Sequence, residues 1–350
     1  MIDRLWTKRR TLMKIALTGM KPTGSPHLGN YIGMIQPALE LAQSFRALYF
    51  VADYHALTVT PDPEALNRQS REIAATWLAL GLDPAKAILF RQSDIPELFE
   101  FEWILACFTP KGILNRAHAY KAAVEKNTNE NRYPDDGINA GLYSYPVLMA
   151  ADILLFGAEV VPVGADQKQH IEMARDIATV INNRHADILT VPEPLIRDNH
   201  INFPGIDGRK MSKSYRNTIP IFASQQAIRK QVMQIKTDSK RPDDPKNPEE
   251  CHVFGMFRHF APPEAVTAWR ERYINGGAAY SQIKAELADL LEAKFGKSRQ
   301  RYEALLRDPE QINGVLTKGA TTARSIANPI LKKLRSCIGI DIAPSRLSSL

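Results

Sequence analysis

The stretch KIALTGMKPTGSPHLGNYIG, residues 14–33, changes character twice. Its first six residues are an apolar run of strand length, and its middle is rich in glycine, proline and small polar residues. A helical pattern, NYIGMIQPALELAQ, then begins at Asn30. Strand, tight loop and helix in that order open a βαβ unit. Free N–H groups at the helix start, together with its dipole, make a site for anionic phosphate. Gly29 lets a nucleotide approach the backbone closely. The same residues also fit a glycine-rich turn with no ligand, and their spacing matches neither a dinucleotide fingerprint nor a Walker loop.

Three further apolar runs follow: ALYFVAD (47–53), AKAILFRQ (85–92) and AEVVPVG (158–164). Helical patterns separate them. The clearest is PEALNRQSREIAATWLALGL (63–82), with proline in its first turn and glycine near its end. This alternation predicts an α/β fold, a doubly wound parallel-sheet (Rossmann-like) nucleotide-binding domain over 14–221. Its ligands belong at the carboxyl ends of the strands. Near residue 222 the pattern changes. KTDSKRPDDPKNPEE (236–250) reads as a surface loop, and helical stretches at 281–306 and 323–339 follow without strands. Residues 222–350 are therefore expected to form a C-terminal all-helical domain, and residues 1–13 an N-terminal extension.

The chain has 350 residues, 44% hydrophobic and 24% charged, which suits a globular protein with a sizeable core. No apolar run reaches membrane-span length and no segment is laid out as a signal peptide, so no membrane partner and a cytoplasmic setting are expected. Cys107, Cys251 and Cys337 stand far apart without metal-ligand spacing, and no protein-held metal is expected. Basic and acidic side chains balance over 1–221, so the whole net charge of +7 falls on 222–350. A region facing a phosphate backbone carries such a bias.

GRKMSKSYRN (208–217) concentrates lysine, arginine and serine without apolar periodicity, so it is expected to be an exposed, mobile loop. Taken alone it fits a solvated basic loop as well as a lid over a polyanion. In GLYSYPVLMAADILLF (141–156), Tyr145, Met149 and Asp152 fall at i, i+4 and i+7 and share a helix face. An aromatic ring, a thioether and one carboxylate suit an indole with its single N–H donor. They equally suit a core face with a solvated acid.

His27, Leu28, Gly29 and Asn30 resemble the H-I-G-H motif of class I aminoacyl-tRNA synthetases, and residues 210–214 match their K-M-S-K-S motif without a departure. With VPVGADQKQHIEMARDIA (161–178), the middle of the chain resembles the tryptophanyl branch of that family. The resemblance runs from about residue 14 over nearly the whole chain. It implies a ligase that activates L-tryptophan with ATP, bound with Mg2+, and charges tRNA(Trp) as a homodimer. It assigns Lys210, Lys213 and Asn30 to catalysis. It assigns ATP to Lys21, Pro22, Thr23, Gly29, Asn30, Gly164, Ala165, Asp166, Lys210, Met211, Ser212, Lys213 and Ser214. Lys121 is carried over as a lysine that reaches the phosphates. Tryptophan falls to Tyr145, Met149, Asp152 and Gln167, with Asp152 accepting the indole N–H and Gln167 contacting the α-amino group. His170, one turn on from Asp166, is left as a structural histidine.

Two departures bear on the site. Asn30 replaces the second histidine of the motif and can still donate to phosphate. Lys21 stands where some family members have glutamine, which adds a positive charge near the nucleotide. The basic C-terminal helices, with clusters at Lys294, Lys297, Arg299 and Arg301 and at Lys332, Lys333 and Arg335, are expected to hold the anticodon arm. The segment 93–140 is too short for an added editing domain. Three alternatives stay open at this point: a tyrosyl relative, a silent RNA-binding paralogue, and a nucleotidyltransferase that never meets tRNA.

Overall fold

The computed structural model describes residues 13–59, 62–164, 167–195 and 203–341. The expected N-terminal extension lies outside them, Met13 excepted. Four strands form on the apolar runs: β1 (Ile15–Met20), β2 (Arg46–Val51), β3 (Ile88–Arg91) and β4 (Val160–Pro162). A fifth, β5 (Glu193–Leu195), forms on the short, charged and proline-containing EPL, which carries no strand pattern. All neighbours pair in parallel, in the order β3-β2-β1-β4-β5. β1 and β2 pair along their whole length, from Ile15–Arg46 to Met20–Val51. β1 and β4, by contrast, meet only at Ala16 and Val160. Beyond that point the two strands part, at the place where the strand order reverses. Open α/β sheets bind ligands in such a crevice.

Helix α1 is composite. It starts as a turn at Leu28–Asn30, widens to a π-helix over Tyr31–Ile35 and returns to α geometry over Gln36–Leu41. Pro37 has no N–H to give the carbonyl four residues back, that of Gly33, so the wider turn falls where the ordinary ladder would break. The other crossover helices are α2 (Pro63–Ala79), α3 (Glu97–Phe108), α4 (His118–Asn129), α5 (Ala140–Leu154) and α6 (Lys168–Arg184). α2 is capped by Asp62, whose carboxylate accepts from Ala65 N at 2.7 Å, and chain reversal after it uses Gly81 at φ +104°.

Beyond β5 the described residues form helices and no further strand: α7 (Gln225–Met233), α8 (His252–Phe257), α9 (Pro263–Asn275), α10 (Tyr280–Arg307) and α11 (Pro309–Ile338). Asp308 separates α10 from α11 and caps the latter, with Pro309 at its first position. The 236–250 segment is largely exposed, as expected of a loop. It folds around buried Lys246, whose ammonium donates to the carbonyls of Arg241, Pro242 and Asp244 at 2.5, 3.0 and 2.8 Å.

These helices pack on both faces of the sheet. One apolar cluster joins Leu28, Tyr31 and Ile35 of α1 and Trp77 of α2 to Phe254 and Phe257 of α8 and Phe295 of α10. Tyr31 meets Phe295 edge-on, with ring centroids 4.9 Å apart. A second cluster joins α3, α5 and α6 to Ala323, Ala327 and Leu334 of α11. α11 also covers the open edge of β3, which would otherwise present unpaired backbone groups. Its approach is so close that a Cβ on Gly319 would stand 1.8 Å from the carbonyl oxygen of Leu89. Gly319→Ala should therefore destabilise the protein by about 1–2 kcal/mol. Overpacking costs roughly 1–3 kcal/mol, and alanine's better helix propensity returns up to about 1 kcal/mol. An unchanged or raised urea midpoint for this variant would show that the helix does not sit on the strand.

Candidate active site

The parting of β1 and β4 opens a cavity of about 750 Å³, lined from β1 by Leu17, Thr18 and Gly19, and by Phe50, His55 and Val161. Helix α5 forms its floor. The periodicity placed Tyr145, Met149 and Asp152 on one face, and all three line the cavity, together with Lys21, Gly164 and Gln167. Ala165 and Asp166 lie outside the described residues. Asp152 is the one charged side chain that α5 brings to this floor, and it is buried to 3% exposure.

Asp152 is held by residues from two other strand ends. Gln92, just past β3, donates its amide Nε2 to both carboxylate oxygens at 2.8 and 2.9 Å. His55, in a short helix (Asp53–Ala56) past β2, places its Nε2 2.9 Å from Asp152 Oδ2. Burial pushes the Asp152 pKa up, and the bonds from His55 and Gln92 work against that shift. The two strand ends are tied by Asp53, which accepts from Ser93 N at 3.0 Å and from Ser93 Oγ at 2.5 Å. A carboxylate has about four acceptor positions, so three contacts leave it able to take one more donor.

Tyr145 and Gln167 are joined through His170. The Tyr145 hydroxyl stands 2.7 Å from His170 Nε2, and His170 Nδ1 stands 3.0 Å from Gln167 Oε1. Buried His170 is thus the link that fixes two expected substrate contacts. Its sequence signal was faint: a polar residue on the apolar face of α6, one turn after Gln167.

The two motif loops meet each other at the start of α1, and none of residues 22–30 or 208–217 lines the cavity. His27 and Asn30 form a reciprocal cap at the start of α1, with His27 N donating to Asn30 Oδ1 at 3.1 Å and Asn30 N to His27 Nδ1 at 3.3 Å. Burial, and then the charge of Lys213, lower the His27 pKa to about 4, so the ring stays neutral and can accept. With its oxygen engaged, Asn30 has its amide N–H groups to offer a phosphate. Gly29 sits where a Cβ would come within 3.1–3.3 Å of His27 and Met211, and its N–H points at the Met211 sulfur, 3.4 Å away. Pro22 is buried beneath the loop. Lys213 crosses to it, donating from Nζ to the Thr23 carbonyl at 2.9 Å. Partial desolvation lowers the Lys213 pKa.

The lysine loop is exposed at Lys210, Lys213 and Ser214, as expected, while buried Asn217 fastens its base. Asn217 accepts from Ser212 N at 2.8 Å and donates to Asp207 Oδ1 at 2.7 Å and to the Lys210 carbonyl at 3.1 Å. Arg209 is occupied, paired with Asp207 and stacked 4.3 Å over the Tyr215 ring. Lys121 lies apart from this constellation. It is exposed on α4, 3.9 Å from Glu125, and does not line the cavity.

The basic clusters divide. Arg299 is turned inward and paired with Glu292 at 2.5 Å. Lys333 donates to the Asp187 carbonyl at 3.2 Å, and Arg335 pairs with Glu100 at 3.4 Å. These two fasten α11 to the α/β layers. Lys294, Lys297, Arg301 and Lys332 are exposed.

Residues 13–296 match the family model described as tRNA synthetases class I (W and Y). The chain is 48% identical to a tryptophan–tRNA ligase of Pseudomonas aeruginosa over 93% of this chain and 73% of that protein. It is 47% identical to one of Neisseria meningitidis serogroup A, over 93% of this chain and 98% of that protein. Among solved structures, a tryptophanyl-tRNA synthetase of Campylobacter jejuni, complexed with ADP and tryptophan, superposes with a TM-score of 0.84. That match is at 43% identity and covers 93% of this chain and 99% of that chain.

Proposed function

The chain belongs to the class I tRNA synthetases for tryptophan and tyrosine, and from that premise we propose how its residues divide the work of tryptophan–tRNA ligation. The reaction is ATP-dependent activation of L-tryptophan followed by transfer to tRNA(Trp). The observation that carries the reading is the buried carboxylate of Asp152 at the floor of an aromatic and thioether cavity. Its remaining acceptor position takes the indole N–H. Tyr145 and Gln167, fixed by His170, take the α-amino group, and Met149 packs on the ring.

In the first step a tryptophan carboxylate oxygen attacks the α-phosphorus of ATP, and the bond from that phosphorus to the β-bridging oxygen breaks. Tryptophanyl-adenylate forms and pyrophosphate leaves with the electron pair. In the second a terminal ribose hydroxyl of the tRNA attacks the acyl carbon and AMP departs. The carboxylate is already a nucleophile, so the protein supplies positioning and charge stabilisation. Pro22, Thr23, Gly29 and Asn30 cradle the nucleotide from the glycine-rich side, and Gly164, Ala165 and Asp166 hold its ribose. Lys210, Met211, Ser212, Lys213 and Ser214 close from the other side over the phosphates, with Mg2+ entering as Mg–ATP.

A homodimer is part of this proposal. α3 leaves Phe99 and Trp103 exposed one turn apart, with Phe99 edge-on to Tyr54, and a second copy would cover such a surface. The region 222–350, through the exposed cations of its described helices α7 to α11, holds the anticodon arm. Among the described residues no helix is long and apolar enough to cross a membrane.

Pyrophosphate exchange into ATP tests the amino-acid choice, and it should depend on tryptophan and not on tyrosine. Exchange driven better by tyrosine would overturn it. tRNA affinity should fall steeply with salt, by several units of log–log slope, because each neutralised phosphate releases counterions. Exchange needs no tRNA and should change far less. Charge reversal at Lys297 and Arg301 should flatten that slope, and a wild-type slope would exclude α10 from the contact.

A further inference from the structure

The substrate of this site is a zwitterion, and the reading above, on which this inference rests, leaves its carboxylate without a partner. Asp152 takes the indole, and Tyr145 with Gln167 takes the amine. Among the described residues lining the cavity, Lys21 is the only lysine or arginine. It follows directly on the last residue of β1, at the strand end where β1 and β4 have parted. Its ammonium donates to Thr58 Oγ1 at 3.1 Å, a neutral group. That hydroxyl gives its own proton to the His55 carbonyl at 2.9 Å, and the His55 ring bonds Asp152. Ammonium and indole acceptor therefore belong to one hydrogen-bonded wall, joined through Thr58 and His55.

The rest of the lining offers no second cation. His55 is committed to Asp152. His259 is kept neutral, its pKa lowered by burial and by Arg258. Burial alone lowers the pKa of Lys21, with no acidic neighbour acting against it. A half-buried ammonium without a carboxylate gains most from a substrate that brings one.

We propose that Lys21 is a substrate-binding residue for the tryptophan carboxylate. It holds the attacking group of the reaction, where the sequence assigned it to ATP. Two of the ammonium's protons remain free of Thr58, and one charge-assisted hydrogen bond places a carboxylate oxygen for attack on the α-phosphorus. Formation of the adenylate moves the carboxylate's charge onto departing pyrophosphate. Lys21 accordingly contributes chiefly to holding tryptophan before reaction.

Calorimetric titration of the full-length protein with tryptophan and with tryptamine, which keeps the indole and amine but lacks the carboxylate, tests this directly. Wild type should prefer tryptophan. Lys21→Met should weaken tryptophan by about ten-fold or more, the scale of one charge-assisted bond, and leave tryptamine within two-fold of wild type. Lys21→Arg should restore most of the preference. Unaltered tryptamine affinity certifies the fold of the variant. Equal losses for both ligands would mean a structural role and overturn the assignment. So would unchanged tryptophan affinity with weakened AMP, which would put the ammonium at the nucleotide. A wild-type protein that binds neither indole ligand would overturn the ligase reading itself, and this assignment with it.

Discussion

Lys213→Ala is expected to slow formation of tryptophanyl-adenylate by about 10²- to 10³-fold, the usual cost of removing one preorganised donor. Tryptophan affinity should stay close to wild type. The expectation follows from where the side chain lies. Its ammonium reaches across from the lysine loop to the Thr23 carbonyl at 2.9 Å, and its tip stands 3.4 Å from where Gly24 would carry a Cβ. Glycine there leaves the space in front of the ammonium clear of side chains. A phosphate oxygen can replace the Thr23 carbonyl as its acceptor. A carbonyl offers a partial charge and the departing pyrophosphate a full one, so the interaction strengthens as the reaction proceeds. Interactions of that kind appear in the rate of the chemical step. The tryptophan contacts come from α5, from the start of α6 and from Lys21 after β1, and none belongs to residues 208–217. Single-turnover measurement of adenylate formation separates the two quantities. A normal rate with only weaker tryptophan binding would show that Lys213 does not act on the phosphates.

What could be read in the sequence was local. β1 to β3 are nearly continuous apolar runs bounded by turn residues, as strands buried on both faces must be. Both motif loops could be placed because glycine, lysine and serine spacings act over a few residues. The i, i+4, i+7 face of α5 could be read for the same reason. What stayed hidden depends on convergence. His55 and Gln92 lie 37 residues apart at the ends of different strands, yet a 3.3 Å bond from His55 N to Gln92 Oε1 joins them. Only the parallel order of β3, β2 and β1 brings them to Asp152. Asn217 looked like one more polar residue of a basic loop, although it is 1% exposed and organises that loop's base. β5 was invisible because three residues with a proline among them carry no period. Arg299, Lys333 and Arg335 read as a phosphate-facing surface, because composition does not reveal that α10 and α11 fold back against acids and carbonyls of their own chain.

Asp152→Ala should reduce kcat/KM for tryptophan by about 30- to 150-fold, or about 2–3 kcal/mol, the range for a hydrogen bond to a charged group. Two features of the structure place the loss on tryptophan. Asp152 contacts Gln92 and His55 and none of residues 20–30 or 208–217, so the ATP dependence of exchange should hardly move. It is also the one acidic side chain on the α5 floor, so its loss leaves that floor without a carboxylate acceptor. Phenylalanine has no such donor, and in wild type its binding leaves the last acceptor position of a buried carboxylate empty. Removing the carboxylate removes that penalty, so phenylalanine-dependent exchange should hold steady or rise while tryptophan-dependent exchange falls. Discrimination by a polar partner arises in this way, and it disappears with the partner. The variant will also strand the Gln92 amide and the His55 ring, so a lower urea midpoint is expected alongside. A folded Asp152→Ala protein that still selects tryptophan over phenylalanine as wild type does would show that the indole N–H is read elsewhere.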